Sequence, residues 1–452
     1  MKECDSLGKK TKRLLSTNSI FLFLLSYGLA LTLIAFIITS PQLLFSGMQQ
    51  IIASPSNLIT DYVHIAGVGP AFLNSGILTL SSLFLLRKHK HHFCSITVSI
   101  IMMLSGFSFF GKNIVNSAPI ILGCLLYLRI HHSGRQDLLV MGLLSTCLSP
   151  IVSTIYSVPG FLISYKLLAL FIGLLIGYTI LPIFEFLKVH TKELNLYNMG
   201  FAAGFVGMLG NFATKKILTI KIVPHALSFE HHDVLLYFLL ILFSIPLLIV
   251  LYFSKLQPID SKIFLLDLKK ILRFSLYGYF AILICLGLRV PLSGILVGAI
   301  LTFAGFSMYN FKFRYFFFPA VGIFLTALLF YQDIATTNHI VIILFGSTLA
   351  PMTRKYGLLT GILSGVIFSV ITRNTHHLTA GINLYNCGFA GGVTVLLMDA
   401  VRLLFYKNQK IKFLCQKQYL LLIQKEKKLI AKFQTAVQRL LPKIIKTRDG
   451  YS

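Results

Sequence analysis

Residues 19–40, SIFLFLLSYGLALTLIAFIITS, run without a single charged side chain. A helix rises about 1.5 Å per residue, so this run can cross the roughly 30 Å hydrocarbon core of a bilayer. The same holds for VLLYFLLILFSIPLLIVLYF (234–253) and for LLALFIGLLIGYTILPIFEF (167–186), where Glu185 is the one charge. Backbone groups in lipid must find partners inside their own helix or in a closed barrel. The period-2 alternation of barrel strands is absent, which excludes a barrel. Charged residues make up 12% of the 452, about half the share usual in soluble domains. The chain is read as an all-α, polytopic integral membrane protein.

Fourteen apolar segments can be marked. Four are 20–40, 65–86, 234–254 and 274–288. The other ten form two groups of five: 95–111, 114–128, 138–156, 161–187 and 194–212, then 294–309, 315–331, 339–351, 356–372 and 383–401. Some, notably 339–351, are short enough to be half-spans, so 12–14 transmembrane or half-spanning helices are expected. With the N-terminus inside and one crossing per segment, the inside pieces hold 34 Lys/Arg and the outside pieces 6, with Lys166 within a span. Without the C-terminal tail the ratio is still 21 to 6. The positive-inside rule then places both termini in the cytoplasm of a cell with the protein in its cytoplasmic membrane. The N-terminus starts basic like a signal peptide, but its long apolar run lacks a small-x-small cleavage site, so it reads as a retained first helix.

The net charge of +27 would suit nucleic acid, yet the basic residues sit in short connections and tails with no soluble domain to present a groove. No nucleic-acid partner is expected; the lipid bilayer is. The tail 407–452 mixes Leu, Ile and Phe at helical spacing with twelve Lys/Arg, as an amphipathic helix on anionic lipid would. The alternative is a solvated basic tail. Self-association into a homo-oligomer stays open.

One stretch occurs twice. NLYNMGFAAG (195–204) returns as NLYNCGFAGG (383–392), with eight of ten positions identical. Other landmarks follow in the same order. SGFSFF (105–110) matches AGFSMY (304–309), Pro119 pairs with Pro319, Gly123 with Gly322, and STCLSP (145–150) with STLAP (347–351). Such ordered self-similarity points to a duplication. Each copy holds five segments, an odd number, so the copies are expected to be inverted, as in transporters whose broken helices meet near midplane. The organisation expected is a basic N-tail (1–19), N-terminal helices (20–94), repeat 1 (95–212), connecting helices and loops (213–293), repeat 2 (294–401) and a basic amphipathic tail (402–452). Gly200 and Gly204, like Gly388 and Gly392, have the spacing that lets helices pack closely. Asn195, Tyr197 and Asn198, with Asn383, Tyr385 and Asn386, put amides and phenols at two helix starts. In one reading they cap and pack; in the other they face a water-accessible vestibule.

On GPAFLNSGIL (69–78), GFSFFGKN (106–113) and both NLYN-x-GFA-x-G stretches, the chain resembles a family of bacterial multi-pass membrane proteins built from a duplicated domain of unknown function. It is more weakly similar to urea transporters through PLSGILVGAIL (291–301) and LYNCGFAGG (384–392), to which FLNSGIL, with Asn74, and LYNMGFAAG correspond in the first copy. That likeness implies two inverted five-helix halves. It departs at Arg289-Val290, where the urea transporters have Asn before the proline, in an extra residue between Asn and Gly, and in a missing filter sequence, from which LPIFEF (181–186) diverges.

Ionisable groups inside lipid cost about 2.5 kcal/mol or more, so each is a site candidate. Asp61 and His64 precede the second segment; Lys112 and Asn113 end GFSFFGKN; Glu185 and His190 stand before the first NLYN, and Arg373, His376 and His377 before the second; Asp399 lies late in the last span. A His beside a polar pathway can relay protons. The four His pairs, 91–92, 131–132, 231–232 and 376–377, lie at membrane edges. Seven scattered cysteines show no CxxC or Cys/His spacing, so neither a disulfide framework nor a metal site is expected. No nucleotide, protease or hydrolase motif is visible, no catalytic residue is assigned, and no cofactor is implied. The expected function is a channel or secondary transporter for a small polar solute, with its pathway between the repeats. The alternatives are an intramembrane enzyme on a lipid-borne substrate, using a cluster such as Asp61, His64, Lys112 and Arg373, or a non-transporting scaffold.

Overall fold

In a computed structural model of the chain, the residues described are 10–58, 60–131, 136–158, 162–191, 195–217, 227, 229–255, 262–309 and 313–403. The amphipathic tail, Lys192 and the connection at 218–226 lie outside them. The chain forms one compact unit through Val395 and a second from Leu396, described only as the helical residues 396–403.

Among the described residues every regular element is helical, and eight helices are long and apolar enough to cross a membrane. The chain opens with α1 (Lys10–Ile38), α2 (Pro41–Ala53), α3 (Tyr62–Ala66) and α4 (Val68–Lys88). A first set of five follows: α5 (Ser95–Phe107), α6 (Ile114–Ile130), a third span of α7 (Gln136–Ser145) and α8 (Ser149–Tyr156), then α9 (Leu162–Thr191) and α10 (Asn195–Phe212). Two long helices, α11 (His232–Lys255) and α12 (Lys262–Gly287), lead to the second set. That set comprises α13 (Gly294–Ser307), α14 (Phe313–Thr326), α15 (Thr337–Phe345) with α16 (Ala350–Tyr356), α17 (Leu358–Thr379) and α18 over 386–403.

The two third spans break alike. A 3₁₀ turn at Thr146–Leu148 separates α7 from α8, and one at Gly346–Leu349 separates α15 from α16. In both, a proline follows at the second position of the next helix, Pro150 and Pro351. Proline has no N–H to give and fits that first turn, while it forbids the preceding backbone from continuing as one regular α-helix. The segment 339–351, expected as one short span, is therefore two helix pieces joined at a tight turn.

Within each set the second and fourth helices pack through the same landmarks. A methyl on Gly123 would collide with the Leu174 carbonyl, and one on Gly322 with the Ile362 carbonyl. Gly177 and Gly365 likewise lie against the Ile120 and Pro319 carbonyls. Between the sets, α5 crosses α13: a Cβ on Gly106 would lie 2.7 Å from the Gly298 carbonyl oxygen, while the Ser99 hydroxyl donates to the Gly305 carbonyl at 2.9 Å. Contacts rise along one helix as they fall along the other, so α5 and α13 run antiparallel.

The arrangement is inside-out relative to a soluble protein. Every residue of the broken span from Leu138 to Ile155 is buried, and so is every residue of α13. By contrast α1, α9 and α11 expose Leu33, Ile37, Phe171 and Leu248. Large apolar side chains on that scale face lipid. Helix α2, absent from the segments expected above, buries Leu44, Gly47 and Ile51 on one face and carries Gln42, Gln49 and Gln50 elsewhere.

Candidate functional site

The repeated decapeptides open α10 and α18, and they meet. A methyl on Gly200 would drive into the Gly388 carbonyl, and one on Gly204 into the Phe389 ring. A Cβ on Gly392 would stand 2.8 Å from the Tyr197 carbonyl oxygen and 3.1 Å from Phe201 Cβ. Gly204 thus lies on Phe389 as Gly392 lies on Phe201, and these are counterpart positions of the two decapeptides. The crossing is antiparallel and reciprocal, with Gly200 and Gly388 at its centre. Only glycine permits such an approach, because any side chain would hold the backbones apart.

Each decapeptide also reaches the opposite broken span. The Leu384 N–H donates to the Cys147 carbonyl at 2.9 Å, and the Tyr197 hydroxyl donates to the Thr348 carbonyl. Cys147 and Thr348 occupy matching places in the two 3₁₀ turns. A break in a buried span strands backbone carbonyls; here a partner from the other set meets one of them in each.

The remaining motif residues are buried beside this crossing. The Asn383 carboxamide oxygen accepts from the Tyr385 N–H at 3.0 Å, and that of Asn386 from the Thr379 hydroxyl at 2.9 Å. Tyr385 lies against Phe107 and Phe345, ring centroids 6.3 Å from each. Asn198 and Tyr197 are buried too. The Asn195 and His190 side chains lie outside the described residues.

The loop between α5 and α6 enters the same region. Gly111 has φ +106°, a backbone that favours glycine, and Leu384 occupies the space its side chain would need. Asn113 caps α6, accepting from the Asn116 N–H at 2.9 Å, and the Asn116 carboxamide reaches back to the Gly111 carbonyl at 3.0 Å. From α4, the Asn74 amide donates to the Ser108 and Lys112 carbonyls, both at 2.7 Å. The loop so clamped holds Lys112, which is 1% exposed, with its ammonium 5.1 Å from the Phe107 ring centroid. Burial pulls that ammonium down to about 8, against a smaller opposing pull from Cys147.

Asp61 and His64 stay within electrostatic reach of each other but sit in different surroundings. Asp61 is buried, one oxygen accepting from the Val63 N–H at 2.9 Å and the other from the Gly294 N–H at 3.1 Å. It therefore caps α3 and also reaches the start of α13, where Ser293 makes no side-chain cap. Burial pushes its carboxyl up to about 6, while those backbone N–H groups and His64 pull it down. His64 is exposed. Arg373 pairs with Asp333 at 2.7 Å and touches His339 Nδ1 at 3.3 Å. Glu185 accepts from the Tyr127 hydroxyl at 2.6 Å. Among the described residues no ion pair joins any two of Asp61, His64, Lys112 and Arg373, and no group of three His, Cys, Asp or Glu is placed to hold a metal ion.

A family model matches residues 40–213 and 268–403, more than half of the chain. The chain belongs to the family described as "Protein of unknown function (DUF1576)". The two matched stretches contain both five-helix sets, with α2 to α4 before the first and most of α12 before the second. They leave out α11, the candidate span with the smallest buried share. No curated protein and no solved structure matches the chain, and the likeness to urea transporters gains no support from these comparisons.

Sequence reasoning singles out the glycines, Tyr197, Asn198, Asn383, Tyr385, Asn386 and Lys112, which lie at or beside the crossing. It does not single out Asp333 and His339, which surround Arg373. Their only signal is an acidic residue and a histidine beside the Thr336 cap of α15, whose hydroxyl accepts from the His339 N–H at 3.2 Å.

Proposed function

We propose that this protein is a channel or secondary transporter for a small polar solute, and that its two five-helix sets are inverted copies of one unit. On this reading it lies in the cytoplasmic membrane with both termini inside, in line with the Lys/Arg bias. The observation that carries the reading is the exchange at the crossing: Leu384 to the Cys147 carbonyl in one direction, Tyr197 to the Thr348 carbonyl in the other. Discontinuous spans that meet across two inverted units are the recurring way in which transporters bring unpaired backbone groups to a central site. The exchange of partners also supplies a bistable element. Parting the two sets would release both carbonyls together, and those groups would then be available to a solute or to water. With Tyr197, Asn198, Asn383, Tyr385 and Asn386 buried, the arrangement corresponds to a closed state.

The test is solute entry into proteoliposomes, followed by stopped-flow light scattering for neutral solutes and by tracer for charged ones. Flux above protein-free liposomes for at least one small solute is expected, and Tyr197→Phe, which removes one exchanged bond, should change its rate. Absence of flux across neutral, anionic and cationic panels, with and without proton or sodium gradients, would contradict the reading.

A further inference from the structure

We propose that Lys112 is the binding residue for a small monovalent anion, held between the two five-helix sets; this rests on the transport reading above for its place on the pathway, but not for the binding itself. Among the described residues the Lys112 ammonium is buried and has no hydrogen-bond partner. Three of the described carboxylates that are at least partly buried are engaged elsewhere. Asp61 caps two helix starts, Asp333 takes Arg373, and Glu185 takes the Tyr127 hydroxyl. A buried ammonium left alone loses several kcal/mol of hydration. One ring face at 5.1 Å returns only about 0.5–2 kcal/mol.

The position is also built rather than incidental. Asn74 holds the Lys112 carbonyl, the Lys112 N–H donates to the Phe107 carbonyl at 3.2 Å, and Gly111 supplies the left-handed turn just before it. Three rings stand about the same place: Phe107 from the first set, Phe345 and Tyr385 from the second, with centroids 6.1 to 6.3 Å apart. The ring nearest the ammonium therefore belongs to the aromatic cluster in which the two sets meet. A single cation with apolar walls suits one negative charge. A dianion would leave a buried excess charge, and a neutral solute would leave the ammonium unmatched. There is no guanidinium fork here of the kind that selects phosphate. The chemical class is thus a halide, nitrate or short-chain monocarboxylate.

Two measurements test this on the full chain. The first is the thermal midpoint of purified wild-type protein in chloride, nitrate, formate or acetate, at constant ionic strength set with gluconate, with sulfate as the contrast. At least one monovalent anion should raise the midpoint saturably, as a ligand of the folded state does, and Lys112→Met should abolish the rise while Lys112→Arg keeps part of it. The second is proteoliposome flux, where Lys112→Met should slow that anion by at least about tenfold, the loss of roughly 1.4 kcal/mol of binding. If Lys112→Met does not fold, the wild-type anion response alone decides. No saturable rise with any of the four anions, or an equal rise in Lys112→Met, overturns the site. Neutral-solute flux without anion binding would leave the transport reading standing and overturn this one. Lysine-dependent anion binding without flux of any solute would do the reverse.

Discussion

The two five-helix sets share their packing and differ in their charges. Both use a glycine of the second helix against a carbonyl of the fourth, both break their third span at a 3₁₀ turn followed by proline, and both present a glycine-spaced fifth helix to the other. Yet Glu185 and Arg373 each stand ten residues before their NLYN stretch, with opposite signs. The carboxylate takes a tyrosine hydroxyl from Tyr127; the guanidinium lies 4.7 Å from the Tyr331 ring centroid and pairs with Asp333. The first set alone brings a described buried lysine to the crossing. What the sets hold in common serves the scaffold. On the transport proposal, the places where they part, at Lys112, Glu185 and Arg373, are where a direction or a preference for one solute would reside, because two identical inverted halves would treat both sides of the membrane alike.

The largest expected effect comes from breaking what the sets share. Gly200→Val should destabilise the folded protein by about 3 kcal/mol or more, since the backbones have no room to yield; loss of monodisperse protein after detergent extraction is the readout. Gly287→Ala, at a glycine with open space around it, should stay within about 0.5 kcal/mol. Next, Asn74→Leu strips the Ser108 and Lys112 carbonyls of one donor and should cost about 2 kcal/mol. Its thermal midpoint should fall, and its anion response should weaken along with it.

Smaller effects sharpen the charge difference. Arg373→Gln should cost about 2 kcal/mol, less than the 3–5 of a fully buried pair because Asp333 is 24% exposed. Tyr127→Phe should cost about 1.5 kcal/mol, the low end of what a hydrogen bond to a carboxylate is worth. Chemical unfolding of the two variants in one detergent orders them; equal losses would remove the asymmetry drawn here.

Much of the scaffold is legible in the sequence because bilayer physics acts on length and polarity, which are local. Ten of the apolar segments fall on α5 to α10 and α13 to α18, and the repeated glycines mark the crossing because close approach leaves few other residues possible. Helix α2 escapes such a reading: Gln42, Gln49 and Gln50 dilute its apolar face, and its partners are on α4, with Gly47 against Pro70. The site is less legible. Asp61 and His64 are near in sequence, but one caps helix starts and the other faces outward. That Lys112 lacks a partner depends on where every carboxylate ends up, and no spacing in the sequence encodes that. The bond from Tyr197 to Thr348 joins residues 151 positions apart, so only the assembled crossing reveals it.

The central claim is that the two decapeptide helices clasp head to tail. Oxidative cross-linking of cysteine pairs in native membranes, with the seven native cysteines replaced by serine, tests it most directly. Gly207→Cys with Asn383→Cys puts the two sulfur-bearing carbons 3.1 Å apart, a few tenths of an ångström from disulfide geometry, and should cross-link readily. Gly207→Cys with Val395→Cys, counterpart positions of the two copies, lies on opposite sides of the crossing centre and should not. Cross-linking of the second pair and not the first would mean a parallel crossing, and would contradict the account.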